Sequence, residues 1–182
     1  MLKLIRDCEA TLIPSGEEVL LQEGSTYSVK QALGESVTLA NEIGMFRIRK
    51  EDLDALGEHA EQLRQQLEQT PDAGTGDEAF SEEQLWNALR NCYDPEIPVN
   101  IVDLGLIYDL RHDEQPDGLH SIEVKMTLTA QGCGMGPVIA DDARQNLENL
   151  STVSTANVEI VWEPPWTPHM MSPEAREKLG LG

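Results

Sequence analysis

One short segment joins a nucleophilic side chain to an unusual backbone. Gly132-Cys133-Gly134-Met135-Gly136-Pro137 sets a thiol among glycines at every second position. Glycine frees the backbone to turn tightly and to present its N–H groups. Pro137 suits a first helical position, so the segment reads as a loop feeding a helix N-terminus. Unpaired N–H donors and the positive end of the helix dipole favour an anion there. A thiolate is such an anion, and reactive or ligating cysteines sit in settings of this kind. Cys133 is therefore the candidate reactive thiol or metal ligand, with Gly132, Gly134, Met135 and Gly136 as its supporting loop. The structural alternative is a small residue in a tight strand-to-helix turn. The glycine repeat does not make a phosphate loop: no Lys-Ser/Thr follows, and the preceding strand belongs to a hairpin rather than a βαβ unit.

A second candidate is Asp94-Pro95-Glu96-Ile97-Pro98, with Asp103 further on. Asp94, Glu96 and Asp103 are oxygen ligands or acid/base groups by type. Asp94 and Asp103 are equally suited to capping backbone N–H groups of a prolyl turn, and for Asp94 that reading is preferred. Thr127 and Thr129 precede the cysteine loop on the polar side of a strand. Their hydroxyls could donate to a thiolate or a cluster sulfide, or simply face solvent. Trp166 and His169 lie in the stiff run Glu163-Pro164-Pro165-Trp166-Thr167-Pro168-His169, which suits a partner surface. Trp162, on the strand before it, is expected in the core. Of the other cysteines, Cys92 falls on the apolar face of a helix and reads as packing, and nothing around Cys8 argues for chemistry. Three widely spaced cysteines without CxxC argue against a disulfide framework or a self-contained zinc site.

The elements that must position these residues follow from periodicity. Residues 80–182 read as α-β-β-α-β-α. Phe80-Ser81 through Gln84-Leu85 carries a capping box and a hydrophobic staple. Strands are expected over Leu106–Arg111, over Ile122–Thr129 with Ile122, Val124, Met126 and Leu128 on one side, and over Val158–Trp162. His112–Gly118 is expected as a polar hairpin loop. Ile139, Ala143, Leu147 and Leu150 mark the helix after the cysteine, and Ser172-Pro173 opens a terminal one. Residues 1–50 show five short alternating runs, a small β-barrel-like unit. Residues 51–79 hold a helical stripe, Leu53, Leu56, Ala60, Leu63 and Leu67, and then a linker over Thr70–Asp77. The fold class is α+β, with the second domain built on a small mixed sheet.

The chain has 182 residues, with 13 Lys+Arg against 33 Asp+Glu and a net charge of −20. The acid is spread along it: residues 1–79 hold 7 basic and 16 acidic groups, residues 80–182 hold 6 and 17. Nucleic acid and anionic membrane surfaces are thereby poor partners. No apolar run reaches the ~18 residues of a membrane span, and the N-terminus has no signal-peptide stretch. A cytoplasmic protein with free thiols is expected.

Taken together, the motifs resemble the MIP18-type (PaaD/SufT-like) family of iron–sulfur assembly factors. The likeness rests on Asp94 through Tyr108, on Met126-Thr127-Leu128-Thr129 with Gly132-Cys133-Gly134-Met135, and on Val161-Trp162-Glu163-Pro164-Pro165-Trp166, in that order. The β unit ahead of this domain points to the SufT-like members. PaaD-like members, accessory to ring oxygenation, are expected to carry a cysteine-rich tail, which the segment ending Leu181-Gly182 lacks. Gly134 stands where many relatives have proline. The resemblance implies a non-catalytic carrier or adaptor for iron–sulfur clusters, working with assembly machinery and apo client proteins through Cys133. It carries Asp94, Glu96 and Asp103 over as acidic positions without assigned roles. A cluster takes about four protein ligands, mostly thiolates, so one Cys133 implies ligation shared between chains, as in a homodimer, or with a client. Iron alone is a further cargo. The competing readings are a thiol-dependent enzyme with Cys133 as nucleophile, for which no Cys/His motif supplies the base, and a purely structural interaction module.

Overall fold

The computed structural model describes residues 1–68 and 79–181, which form two compact units. The expected linker, Thr70–Asp77, lies outside the described residues.

The first unit is a six-stranded antiparallel sheet. Its strands are β1 (Leu2–Lys3), β2 (Cys8–Ile13), β3 (Glu18–Leu21), β4 (Thr26–Leu33), β5 (Ser36–Ala40) and β6 (Met45–Arg49). The order is β1-β4-β5-β6-β2-β3. The five alternating runs are all strands, and the two-residue β1 adds a sixth. Among the described residues no ladder joins the edges β1 and β3, so the pairing itself does not close a barrel. Lys50–His59 follows as 3-10 helix and Ala60–Glu68 as α1, with the break at Gly57 (φ +57°). Leu53, Leu56, Leu63 and Leu67 are buried in the same core as Val37, Leu39 and Ile48. The helical stripe therefore completes the first unit's core. Fifty residues of sheet bury too little apolar surface alone, and the helix supplies the missing cover. Arg6 ties the two parts from outside, with its Nε and Nη2 on the Asp54 carboxylate, both at 2.7 Å.

The second unit comprises α2 (Glu82–Arg90), β7 (Ile107–Glu114), β8 (His120–Met126), α3 (Gly136–Glu148), β9 (Val153–Ile160), a 3-10 turn (Pro168–Met170) and α4 (Pro173–Lys178). The sheet order is β7-β8-β9, antiparallel then parallel. Element order and mixed sheet follow the sequence reading. On β8, Ile122, Val124 and Met126 are buried, while Glu123 and Lys125 are exposed. Ser81 and Gln84 form the capping box reciprocally. Asn146 on α3 donates to the Ala88 carbonyl, and Cys92 Sγ approaches the Ile139 carbonyl at 3.6 Å, so α2 and α3 run antiparallel.

Several expectations are corrected. The first strand runs on through Glu114, leaving only Gln115–Leu119 for the turn. Polar His112, Asp113 and Glu114 reach into the ladder because cross-strand pairing with Ser121 and Ile122 outweighs their composition. Phe80 stacks on the buried His120 ring, with centroids 3.5 Å apart. Trp162 is exposed, not core: β9 ends at Ile160, and strand parity no longer applies ahead of the prolines.

Candidate functional site

Topology decides which loops meet. β8 and β9 are parallel neighbours, so the loops leaving their C-terminal ends exit the same edge of the sheet. The first is the cysteine loop and the second is the tryptophan–proline loop. β7 is antiparallel to β8, and Ile107 pairs with Met126, so the segment before β7 arrives at that edge too. The end of α2 does likewise: Cys92 contacts Ile139 in the first turn of α3, and the Tyr93–Asn100 bridge joins it to the next segment. Asp94, Asp103, Thr127, Thr129, Cys133, Trp166 and His169 all belong to segments at this edge. His112 and His120 lie toward the other end. Crevices at the carboxyl ends of strands are where open sheets flanked by helices hold ligands.

Cys133 is half-buried, whereas Cys8 and Cys92 are buried. Its carbonyl accepts from Gly136 N at 3.2 Å, closing the turn into α3. The helix has no side-chain cap and no acidic residue in its first turn. The start of α3 thus leaves its N–H donors and the positive end of the helix dipole without a side-chain cap. The glycines answer to different demands. Gly132 has φ +81°, a left-handed conformation costly for other residues. Gly136 is a packing requirement: a Cβ would stand 2.6 Å from Leu128 Cδ1 and 3.3 Å from Ile160 Cδ1. Met135 is buried and anchors the loop. Thr127 is also buried, at 1% exposure, which overturns its placement on a solvent-facing strand side. The strand stops at Met126, and Thr127 N donates to the Leu106 carbonyl. Thr129 is half-buried.

Asp94 and Asp103 both take part in the hydrogen bonding of the segment before β7. Asp94 is buried, and its N–H donates to the Val99 carbonyl. Asp103 accepts from Asn100 Nδ2 at 2.7 Å, while its N–H donates to Asn100 Oδ1 at 2.8 Å. So Asn100 caps the Asp103 N–H. Burial, followed by the Asp103 charge, pushes the Tyr93 hydroxyl above its ordinary value. Glu96 is exposed.

The tryptophan–proline loop is strapped to the segment before β7. Trp166 Nε1 donates to the Leu104 carbonyl at 2.8 Å, and Ser172 N donates to the Asp103 carbonyl at 2.8 Å. Tyr108 stands in a bulge between Ile107 and Asp109, and its hydroxyl donates to the Pro164 carbonyl at 2.8 Å. Bulges re-aim a side chain in this way. Gly105 (φ +71°) admits the Met170 carbonyl where any Cβ would collide with it. Trp166 is thus a half-buried anchor, while His169 and Met170 are exposed. Between strap and sheet lies a cleft of about 630 Å³, lined by Ile107, Tyr108, Val161, Pro164 and Met170 with Lys125 and Glu163. The sequence reading assigned no role to Tyr108, Lys125, Glu163 or Met170. Only the bulge and the strap bring them together, and neither has a periodic signature.

Among the described residues no three His, Cys, Asp or Glu side chains gather to hold one metal ion. Nor is any helix there long and apolar enough to cross a membrane.

Residues 82–160 match the family described as iron–sulfur cluster assembly protein. The Fe-S protein maturation auxiliary factor YitW of Bacillus subtilis is 44% identical over 99 residues, 54% of this chain and 93% of that protein. The chain belongs to this iron–sulfur cluster assembly family. Within the family, the Fe-S protein maturation auxiliary factor SufT of Staphylococcus aureus is 42% identical over 88 residues, covering 48% of this chain and 96% of that one. A solved domain of unknown function from Bacillus anthracis is 36% identical, with a TM-score of 0.49, over 56% of this chain and 92% of its own. About half of this chain accounts for these curated relatives almost end to end. The family likeness therefore rests on the second unit, and the first unit is not what carries it.

Proposed function

We propose that the chain is an iron–sulfur protein maturation factor that works as a carrier or adaptor, with Cys133 as the thiol that meets the cargo. The cargo is an iron–sulfur cluster or its iron, held transiently and delivered to apo client proteins. The observation that carries this reading is the position of Cys133. It is the least buried of three thiols, at the uncapped start of α3, on the edge where the other two motif segments converge. The relatives named as maturation auxiliary factors support the same role. One thiol supplies too few ligands for a cluster. The remaining ligands come from a second copy or from the client, so ligation is shared and turnover is not required. A thiol enzyme would need a base beside the nucleophile, and among the described residues no histidine hydrogen-bonds Cys133.

The test is anaerobic reconstitution of wild type and Cys133→Ala with iron and sulfide, read by absorbance and metal analysis, alongside complementation of a maturation-deficient strain. Loss of function with an unchanged circular dichroism spectrum is expected for Cys133→Ala. Full complementation by Cys133→Ala would sink the proposal.

A further inference from the structure

The cleft under the strap is not used by the reading above, and its chemistry is specific. Its walls are apolar, from Ile107, Tyr108, Val161, Pro164 and Met170. Trp162, Met170 and Leu181, at 38%, 36% and 55% exposure, are the large apolar side chains left in solvent among the described residues of this unit. The strap is held from below by Tyr108, Trp166 and Gly105, so the cleft is preformed. Pre-organisation of this kind removes an ordering cost from binding.

Charge decides what the cleft takes. Lys125 lies in register between Asp109 on β7 and Glu159 on β9, one ammonium flanked by two carboxylates. Glu163 has no basic partner among the described residues. The outward face of the sheet continues the same sign. Asp109, Asp113, Glu123 and Glu159 outnumber Arg111 and Lys125, and Arg111 is already bound to Asp109 at 2.8 Å. The uncompensated charge at the mouth is negative.

We infer that this cleft is a docking site for a basic segment of a partner protein, which inserts an aliphatic or aromatic side chain between Tyr108, Pro164 and Met170 and sets its positive charges against Glu163 and the acidic sheet face. The inference deepens the maturation reading by naming the partner's chemistry, and rests on it only for the partner being a protein. An apolar anchor fixes the position, and the acidic surround speeds encounter and rejects acidic segments.

The experiment titrates the full chain with fluorescein-labelled synthetic peptides, read by anisotropy. One peptide alternates Lys with Leu, a second Lys with Ser, and a third Glu with Leu. The Lys/Leu peptide is expected to bind saturably, with the other two at least about tenfold weaker. Met170→Gln and Glu163→Gln, both at exposed positions and verified as folded by circular dichroism, are expected to weaken it, the former by about tenfold. Binding that both variants leave within about twofold of wild type, or that the Lys/Ser or Glu/Leu peptide matches, overturns the inference. Cys133→Ala is expected to bind the Lys/Leu peptide as wild type does. Failure of docking therefore leaves the cluster reading standing, and failure of reconstitution leaves docking standing.

Discussion

The indole N–H of Trp166 donates to the carbonyl of Leu104 across 62 residues of sequence, at 2.8 Å. This bond closes the strap over the segment before β7. A Trp166→Phe chain keeps most of the ring and loses the donor. A net protein hydrogen bond contributes about 1 kcal/mol, so urea unfolding should show a loss of that order. Trp166→Ala, which also removes the ring, should cost more. An equal midpoint for Trp166→Phe and wild type would mean that the strap is held without this bond.

Two glycines with similar backbone angles should respond very differently to alanine. Gly105 (φ +71°) faces the Met170 carbonyl, while Gly132 (φ +81°) has nothing within 4 Å of a built Cβ. Gly132→Ala should show only the left-handed backbone penalty, about 1 kcal/mol. Gly105→Ala adds an overlap with backbone that cannot rotate away, and should cost at least about 1 kcal/mol more. Denaturant midpoints for the pair measure this directly, and a larger loss at Gly132 would contradict the packing described.

The three thiols should titrate as one plus two. Cys133 is half-buried, whereas Cys8 is 1% and Cys92 2% exposed. An aromatic disulfide reagent on the native chain should release one equivalent quickly, and Cys133→Ala should abolish that phase. All three thiols should react in denaturant. Two fast equivalents in the native wild type would show a second accessible thiol.

Cys8 also sets an alkaline limit. Burial, reinforced by Asp52, pushes its thiol up to about 11 from an ordinary 9.0. The unfolded chain therefore ionises first as pH rises. The resulting stability is fully present below about pH 9 and is lost progressively toward pH 11. Unfolding midpoints of wild type should fall more steeply than those of Cys8→Ala over that window. Parallel slopes would assign the alkaline loss to other groups.

How much of this was legible in the sequence depends on whether a residue's neighbours are local. The capping box at Ser81 and Gln84, the alternation of Ile122, Val124 and Met126, and the stripe of Leu53, Leu56, Leu63 and Leu67 are near-neighbour patterns, and all of them appear in the fold. The turn from Cys133 into α3 was legible because its glycines and Pro137 are adjacent in sequence. Thr127 and Trp162 were misplaced because alternation was carried past the last paired residue of each strand. The cleft was invisible because Tyr108, Lys125 and Met170 meet only through a bulge and a strap. Asp103 was left open between a cap and a functional group, and the cap there is Asn100, since both types suit that role and only geometry separates them.

Phe80 stacks on His120 at the first residue of β8, whereas the cysteine loop leaves the last, Met126. A seven-residue strand spans roughly 20 Å, so the polypeptide enters this unit far from the edge where its motifs gather. A label placed at Phe80 would therefore report on the end of the sheet remote from the three loops.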